Sequence, residues 1–234
     1  MQDPGYVRDA FARIARRYVV TNHVLSMGAD ILWRRRVGRI VAGWRPARVL
    51  DVATGTGDLA LEIGRRCPAA EVVGADFCPE MLAQARRRGL ARTVEADALA
   101  LPFEAGGFDV VTVAFGLRNL ADREAALREM RRVLRPGGRL LVLDFSLPGG
   151  LVRAPYRFYL HRVLPVAAGW LTGQRDAYEY LCGSIERFPS GAALCRMIGD
   201  NGFEAADCRP LSCGVASIYT AVARIADCGP AGAG

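Results

Sequence analysis

Val49-Leu50-Asp51-Val52-Ala53-Thr54-Gly55-Thr56-Gly57-Asp58-Leu59-Ala60 decides how this 234-residue chain folds. An apolar run ends in a turn holding two glycines, and a second apolar run follows at once. That pattern is a buried strand, a tight loop and the start of a helix. Glycines at 55 and 57 remove Cβ atoms where a ligand must approach the backbone. The helix that follows offers N–H groups with no intrahelical partner, a seat for an electron-rich ligand atom.

Outward from this loop, strand and helix alternate. Arg48–Val52 reads as a strand, Glu71–Asp76 as the second, and Glu95 ends a third. Phe108–Phe115 and Arg139–Phe145 are further strands, while Pro79–Arg88 and Asp122–Leu134 are helices. The run Arg135-Pro136-Gly137-Gly138 is the turn between the last helix and its strand. Such alternation predicts an α/β fold with a doubly wound, mostly parallel sheet over residues 46–146. Before it, Val7, Phe11, Ile14 and Tyr18 recur at helical spacing, so residues 1–45 read as a helical cap ending near Pro46. After it, residues 147–190 lose the rhythm; they are apolar and aromatic, broken by Pro155 and Pro165, and read as a lid insertion. Residues 191–224 predict a closing helix and an antiparallel strand pair, 203–210 and 214–223, before a frayed tail at 225–234. The whole chain is one domain.

Composition narrows the class. No stretch reaches the roughly 18 uninterrupted apolar residues of a membrane-spanning helix. Met1-Gln2-Asp3-Pro4 lacks the basic-then-apolar start of a signal peptide, so a cytoplasmic location is expected. The net charge is +7 and every basic residue is Arg. Arg34-Arg35-Arg36 and Arg86-Arg87-Arg88 have no aromatics between them. They read mostly as solvated faces, with attraction to an anionic membrane second and nucleic acid third, so no nucleic-acid partner is expected. Seven cysteines without a C-x-x-C pair, and two distant histidines, suggest neither disulfide framework nor metal site.

The glycine loop has two readings. Gly55-x-Gly57-x-x-Ala60 satisfies a dinucleotide fingerprint, with Asp76 roughly 20 residues beyond at the ribose position. Asp51, just before the loop, would repel a pyrophosphate but suits the cationic amino-acid end of S-adenosylmethionine (SAM). Asp97, after Glu95-Ala96, can accept a hydrogen bond from an adenine amine. With Phe108-Asp109-Val110-Val111 and Arg135-Pro136-Gly137-Gly138-Arg139-Leu140 in order, residues 48–145 resemble class I SAM-dependent methyltransferases. The plain alternative makes Asp76 and Asp97 strand-end caps and the glycines mere turn formers.

Phe115-Gly116-Leu117-Arg118-Asn119 narrows the resemblance to the quinone-biosynthesis C-methyltransferases, and the likeness covers nearly the whole chain. Phe11, Ile14-Ala15, Tyr18, Asn22, Ser26, Gly28 and Trp33-Arg34 match that family. So do Gly55-Thr56-Gly57-Asp58, Leu143-Asp144-Phe145-Ser146, Tyr178-x-Tyr180-Leu181-x-x-Ser184-Ile185 and Phe188-Pro189. Four positions depart from its usual residues: Val19 for Asp, Ala114 for Ser, Asp144 for Glu and Tyr219 for a nearby His.

The resemblance implies a Rossmann-like methyltransferase that takes SAM and C-methylates a prenylated quinol, demethylmenaquinol or the analogous benzoquinol. Thr56, Asp76, Asp97 and Ala98 would contact SAM, alongside Asp51, Gly55 and Gly57. Arg118 is expected to favour the phenolate and Asn119 to orient a hydroxyl or water; the plainer roles are loop packing and a helix cap. Tyr178 and Tyr180 are candidate substrate contacts, and His161 and Asp144 candidate bases. No metal is needed. The lid, with Arg153, Arg157 and Arg162 among its apolar residues, suits a lipid tail and peripheral membrane contact at the inner face, or else packs on the sheet edge. A homo-oligomer is compatible with all of this. A methyltransferase of another small aromatic, a catalytically silent subunit of the same fold and, further off, a nicotinamide-dependent dehydrogenase are the alternatives.

Overall fold

Apolar runs of strand length become a seven-stranded sheet in the structure, a computed structural model. It describes Ser26, residues 28–163 and residues 183–225, with only the backbone of His161 and Val163. The strands are β1 (Arg48–Val52), β2 (Glu71–Asp76), β3 (Arg92–Glu95), β4 (Phe108–Ala114), β5 (Leu134–Phe145), β6 (Phe203–Leu211) and β7 (Ala216–Ala223). Their order is β3-β2-β1-β4-β5-β7-β6. The first five run parallel; β7 pairs antiparallel with β5 and with β6. The direction of winding reverses between β1 and β4, and open sheets of this kind bind ligands at that switch point, beyond the carboxyl ends of the strands.

Both sheet faces are covered, because successive strand residues point to opposite sides. Val49, Leu141, Leu143 and Phe145 pack with Trp33, Val37 and Val41 of α1 (Ala29–Gly43) and with Leu59 and Ile63 of α2 (Asp58–Arg66). Leu50, Val52, Val111, Val113, Leu140 and Val142 pack on the other face. They meet Ala126, Leu127 and Met130 of the helix at Arg123–Val133, and Leu194 and Ile198 of the helix at Ala192–Asp200. The helix over Pro79–Arg87 begins on its proline, where the missing N–H costs nothing.

Two readings change. Leu134 belongs to β5 and pairs with Phe108, and the next pair is Val110 with Arg139. The Pro-Gly-Gly run is thus bulged out of the strand rather than standing before it. Pro155 does not break the lid segment. It lies in the first turn of a short helix, Arg153–Phe158, where proline removes no intrahelical bond. Residues 1–25 of the expected cap and residues 164–182 of the expected lid lie outside the described residues. No helix among the described residues is long and apolar enough to cross a membrane.

Candidate active site

The loop after β1 is held from three sides. Thr54 N–H donates to the Ala75 carbonyl of β2 at 3.0 Å, and Gly57 N–H closes a turn on the Thr54 carbonyl at 2.9 Å. Gly55 and Gly57 take φ of 56° and 80°, the left-handed region that glycine enters without penalty. Thr56 Oγ1 donates to Asp58 Oδ2 at 2.9 Å. Arg88, beyond the third helix, reaches back to Asp58 at 2.6 Å and to the Thr56 carbonyl at 3.0 Å. Burial alone would raise the Asp58 carboxyl, but Arg88, Arg34 and Thr56 together hold it below the usual carboxylate range.

Beneath this loop lies Asp51. Register sets it beside Thr112 of β4, and its two carboxylate oxygens accept from Thr112 Oγ1 and Thr54 Oγ1, each at 2.6 Å. Burial pushes its carboxyl up to about 6, against those hydrogen bonds and the field of Arg34. Asp76 ends β2, buried; its oxygens accept from Gly55 N–H at 2.7 Å and Cys78 N–H at 3.0 Å. Burial raises it as well. A carboxylate offers about four acceptor positions, and with the Phe77 N–H also directed at it, Asp76 keeps room for a ribose hydroxyl. Ala96 N–H donates to the Asp76 carbonyl at 3.0 Å, which brings Asp97 and buried Ala98 alongside. Asp97 is exposed and its Oδ1 takes the Leu99 N–H at 2.9 Å. Asp51, Gly55, Thr56, Gly57, Asp76, Asp97 and Ala98 therefore share one edge of the sheet. A buried acid under the loop, an acid ending the next strand and open space over Gly55 suit a cationic adenosine ligand better than a pyrophosphate.

The turn after β4 completes the edge. A Cβ on Gly116 would stand 2.6 Å from the Ala53 Cβ, so only glycine lets this turn meet the glycine loop. Asn119 is half-buried; its Nδ2 donates to the Phe115 carbonyl at 3.3 Å. It does not cap the next helix, for Asp122 does that by accepting from Ala125 N–H at 2.9 Å. Arg118 departs most from expectation. Its side chain is 1 % exposed, and Nη1 donates at 2.5 Å to Asp144 Oδ1, itself 0 % exposed at the end of β5. The rings of Phe115 and Phe145 lie 5.9 and 5.2 Å from its guanidinium carbon. A charge already matched by a buried carboxylate is not presented openly to a phenolate. Asp144, equally enclosed, is no accessible base; burial raises its carboxyl against the pull of Arg118.

Tyr178, Tyr180, Val19 and the His161 side chain lie outside the described residues. Tyr219 is a core residue on β7, and its hydroxyl accepts from Gly191 N–H at 2.9 Å at the start of the Ala192–Asp200 helix. That departure concerns packing. Arg34 is buried, unlike exposed Arg35 and Arg36, so the triple-arginine run is not uniformly solvated. No cluster of metal-binding side chains occurs among the described residues.

A model of the ubiE/COQ5 methyltransferase family matches residues 2–223. The chain belongs to that family. Among curated relatives, the demethylmenaquinone methyltransferase of Thermus thermophilus is 53% identical over 215 residues, spanning 89% of this chain and 97% of that protein. The ubiquinone/menaquinone biosynthesis C-methyltransferase of Geobacter sulfurreducens is 44% identical, spanning 92% and 87%. A SAM-dependent methyltransferase of Thermotoga maritima superposes with a TM-score of 0.64 at 18% identity, covering 92% of this chain and 99% of that one. Phosphoethanolamine N-methyltransferase 2 of Haemonchus contortus, solved with SAM, gives 0.57 at 16% identity over 76% and 49%. These two share the fold. The family member described here is a methyltransferase, and SAM is its methyl donor.

Proposed function

We propose that this chain methylates a ring carbon of demethylmenaquinol in quinone biosynthesis. The observation that carries the reading is 53% identity to a demethylmenaquinone methyltransferase across 97% of that protein's length, with the glycine loop and its acids in place. When bound, SAM supplies an electrophilic methyl on a sulfonium centre. Asp76 would accept from the ribose, Asp97 and Ala98 would meet the adenine, and Asp51, enclosed beneath the loop, would favour the ammonium by its charge, over the backbone of Gly55, Thr56 and Gly57. Asn119 would orient the quinol hydroxyl; its Oδ1 makes no hydrogen bond to a described residue. Arg118 becomes a positioning residue, which fixes the turn 115–119 through Asp144 rather than touching the ring. Catalysis then rests chiefly on alignment of the ring carbon with the methyl.

The exposed side chains of Leu151 (97 %) and Phe158 (64 %), with Arg153 and Arg157 between them, would rest on an anionic bilayer that holds the prenyl tail. Incubation with methyl-labelled SAM and demethylmenaquinol tests the central reading. One methyl should appear on the naphthoquinol ring carbon. Transfer to oxygen, or none to the quinol when SAM binds, refutes it. Binding to anionic vesicles should weaken with salt and with Phe158→Asp; equal binding to neutral vesicles removes the membrane role.

A further inference from the structure

One face of α1 holds a residue that does not match its neighbours. Trp33, Val37 and Val41 are buried apolar residues at helical spacing, and Arg34 is buried with them, its side chain 10% exposed. Its Nη1 is paired with Asp30, one turn earlier and fully enclosed, which also accepts from Ser26 Oγ at 2.7 Å. Its guanidinium carbon lies 5.2 Å from the centre of the Phe115 ring. Phe115 begins the turn that meets Ala53, so Arg34 stands at the carboxyl edge of the sheet beside the glycine loop. Its field lowers both the Asp51 and the Asp58 carboxyls, which agrees with that position.

Packing alone gives no reason for a cation here. Leu or Met would fill the same face without the cost of taking a charge out of water. Asp30 engages one end of the fork, while Nε and Nη2 make no hydrogen bond to any described residue. A guanidinium is suited to a planar two-oxygen anion, which it can meet with parallel N–H donors. The loop's own ligand has such a group. Its amino-acid end carries an ammonium and a carboxylate on one carbon, and Asp51 can serve only the first.

We propose that Arg34 is a cofactor-binding residue that grips the carboxylate of SAM, with Asp30 holding its side chain in place. The two ends of the zwitterion then meet residues of opposite sign, Asp51 from the sheet and Arg34 from the helical cap. Such a pair fixes the torsions of the methionyl chain and hence where the sulfonium methyl points. It also makes the cap part of the cofactor site. The assignment rests on the reading of residues 53–58 as the SAM loop.

Calorimetry with two ligands tests it: SAM and its decarboxylated analogue, each titrated into the wild-type protein, Arg34→Gln and Arg34→Lys. The wild type should prefer SAM. Arg34→Gln should lose roughly tenfold to a hundredfold in SAM affinity, as for a charge-assisted hydrogen bond, and little for the analogue. Arg34→Lys keeps the charge without the fork and should fall between, and it carries the comparison if the Gln variant does not fold. Equal weakening towards both ligands would make Arg34 a purely structural residue and overturn the proposal. So would a wild type indifferent to the carboxylate. A wild type that binds neither ligand instead refutes the SAM loop itself, a result no variant is needed to recognise.

Discussion

Arg118→Ala is the most informative single change, because the structure assigns it an effect on folding that the family motif alone does not. The substitution leaves the fully enclosed Asp144 carboxylate without its guanidinium. Removal of one partner of a buried ion pair costs about 3–5 kcal/mol. A chain of this size loses roughly 2–4 °C of melting temperature per kcal/mol, so the expected drop is roughly 6–20 °C. The pH response has a definite sign. Burial already raises Asp144, and loss of Arg118 raises it further. A carboxyl raised in the folded state favours folding below its ordinary range and loses that benefit as pH climbs. The variant should therefore recover stability on acidification from pH 8 towards roughly 5, more than the wild type does. A double variant, Arg118→Met with Asp144→Leu, should regain most of the loss, since no charge is left buried. Thermal melts of the three proteins across pH check this, with SAM affinity and quinol turnover measured below the transition. A folded Arg118→Ala that melts within roughly 2 °C of wild type would refute the buried-pair account. Full turnover by the folded double variant would remove Arg118 from the positioning of the turn.

Three further outcomes follow from distances already given. SAM affinity should fall as pH drops through about 6, where the Asp51 carboxyl takes up its proton. Asp51→Asn should weaken SAM and flatten that profile in calorimetric titrations, and a profile unchanged in the variant would exonerate Asp51. Gly116→Ala forces its Cβ against Ala53 and should cost about 1–3 kcal/mol of stability, together with SAM affinity. Ala53→Gly in the same chain should restore both, because it removes the opposing Cβ and relieves a positive φ. Tyr219→Phe should cost about 1 kcal/mol in denaturant unfolding by stripping the acceptor from Gly191 N–H, with turnover unchanged.

How far the sequence could be taken depended on the range of each interaction. The glycine loop, the acid ending β2 and the strand-helix alternation are local patterns, and they appear where the spacing put them. Arg118 and Asp144 stand 26 residues apart, joined only because β4 and β5 lie side by side. Opposite charges at the carboxyl ends of two strands expected to be neighbours were a signal, and a paired reading would have demoted Asp144 as a base. Arg34 was hidden by its company. Grouping it with Arg35 and Arg36 obscured its place in the Trp33, Val37, Val41 stripe, which helical periodicity alone could have shown. Tyr219 stands where the family usually has a nearby His, yet that position turns into the core, which no local pattern distinguishes from a site.

Hydrogen bonds along the carboxyl edge join strands that are neighbours in the sheet: Asp76 to the loop of β1, Asp51 to β4, and Arg118 back to β5. Each crosses from one strand's end to the next, so the edge is laced laterally as well as by the backbone ladder. A floor stitched in this way has little freedom to give up when a ligand arrives. Its ordering entropy is met once, when the chain folds, and not again in each catalytic cycle.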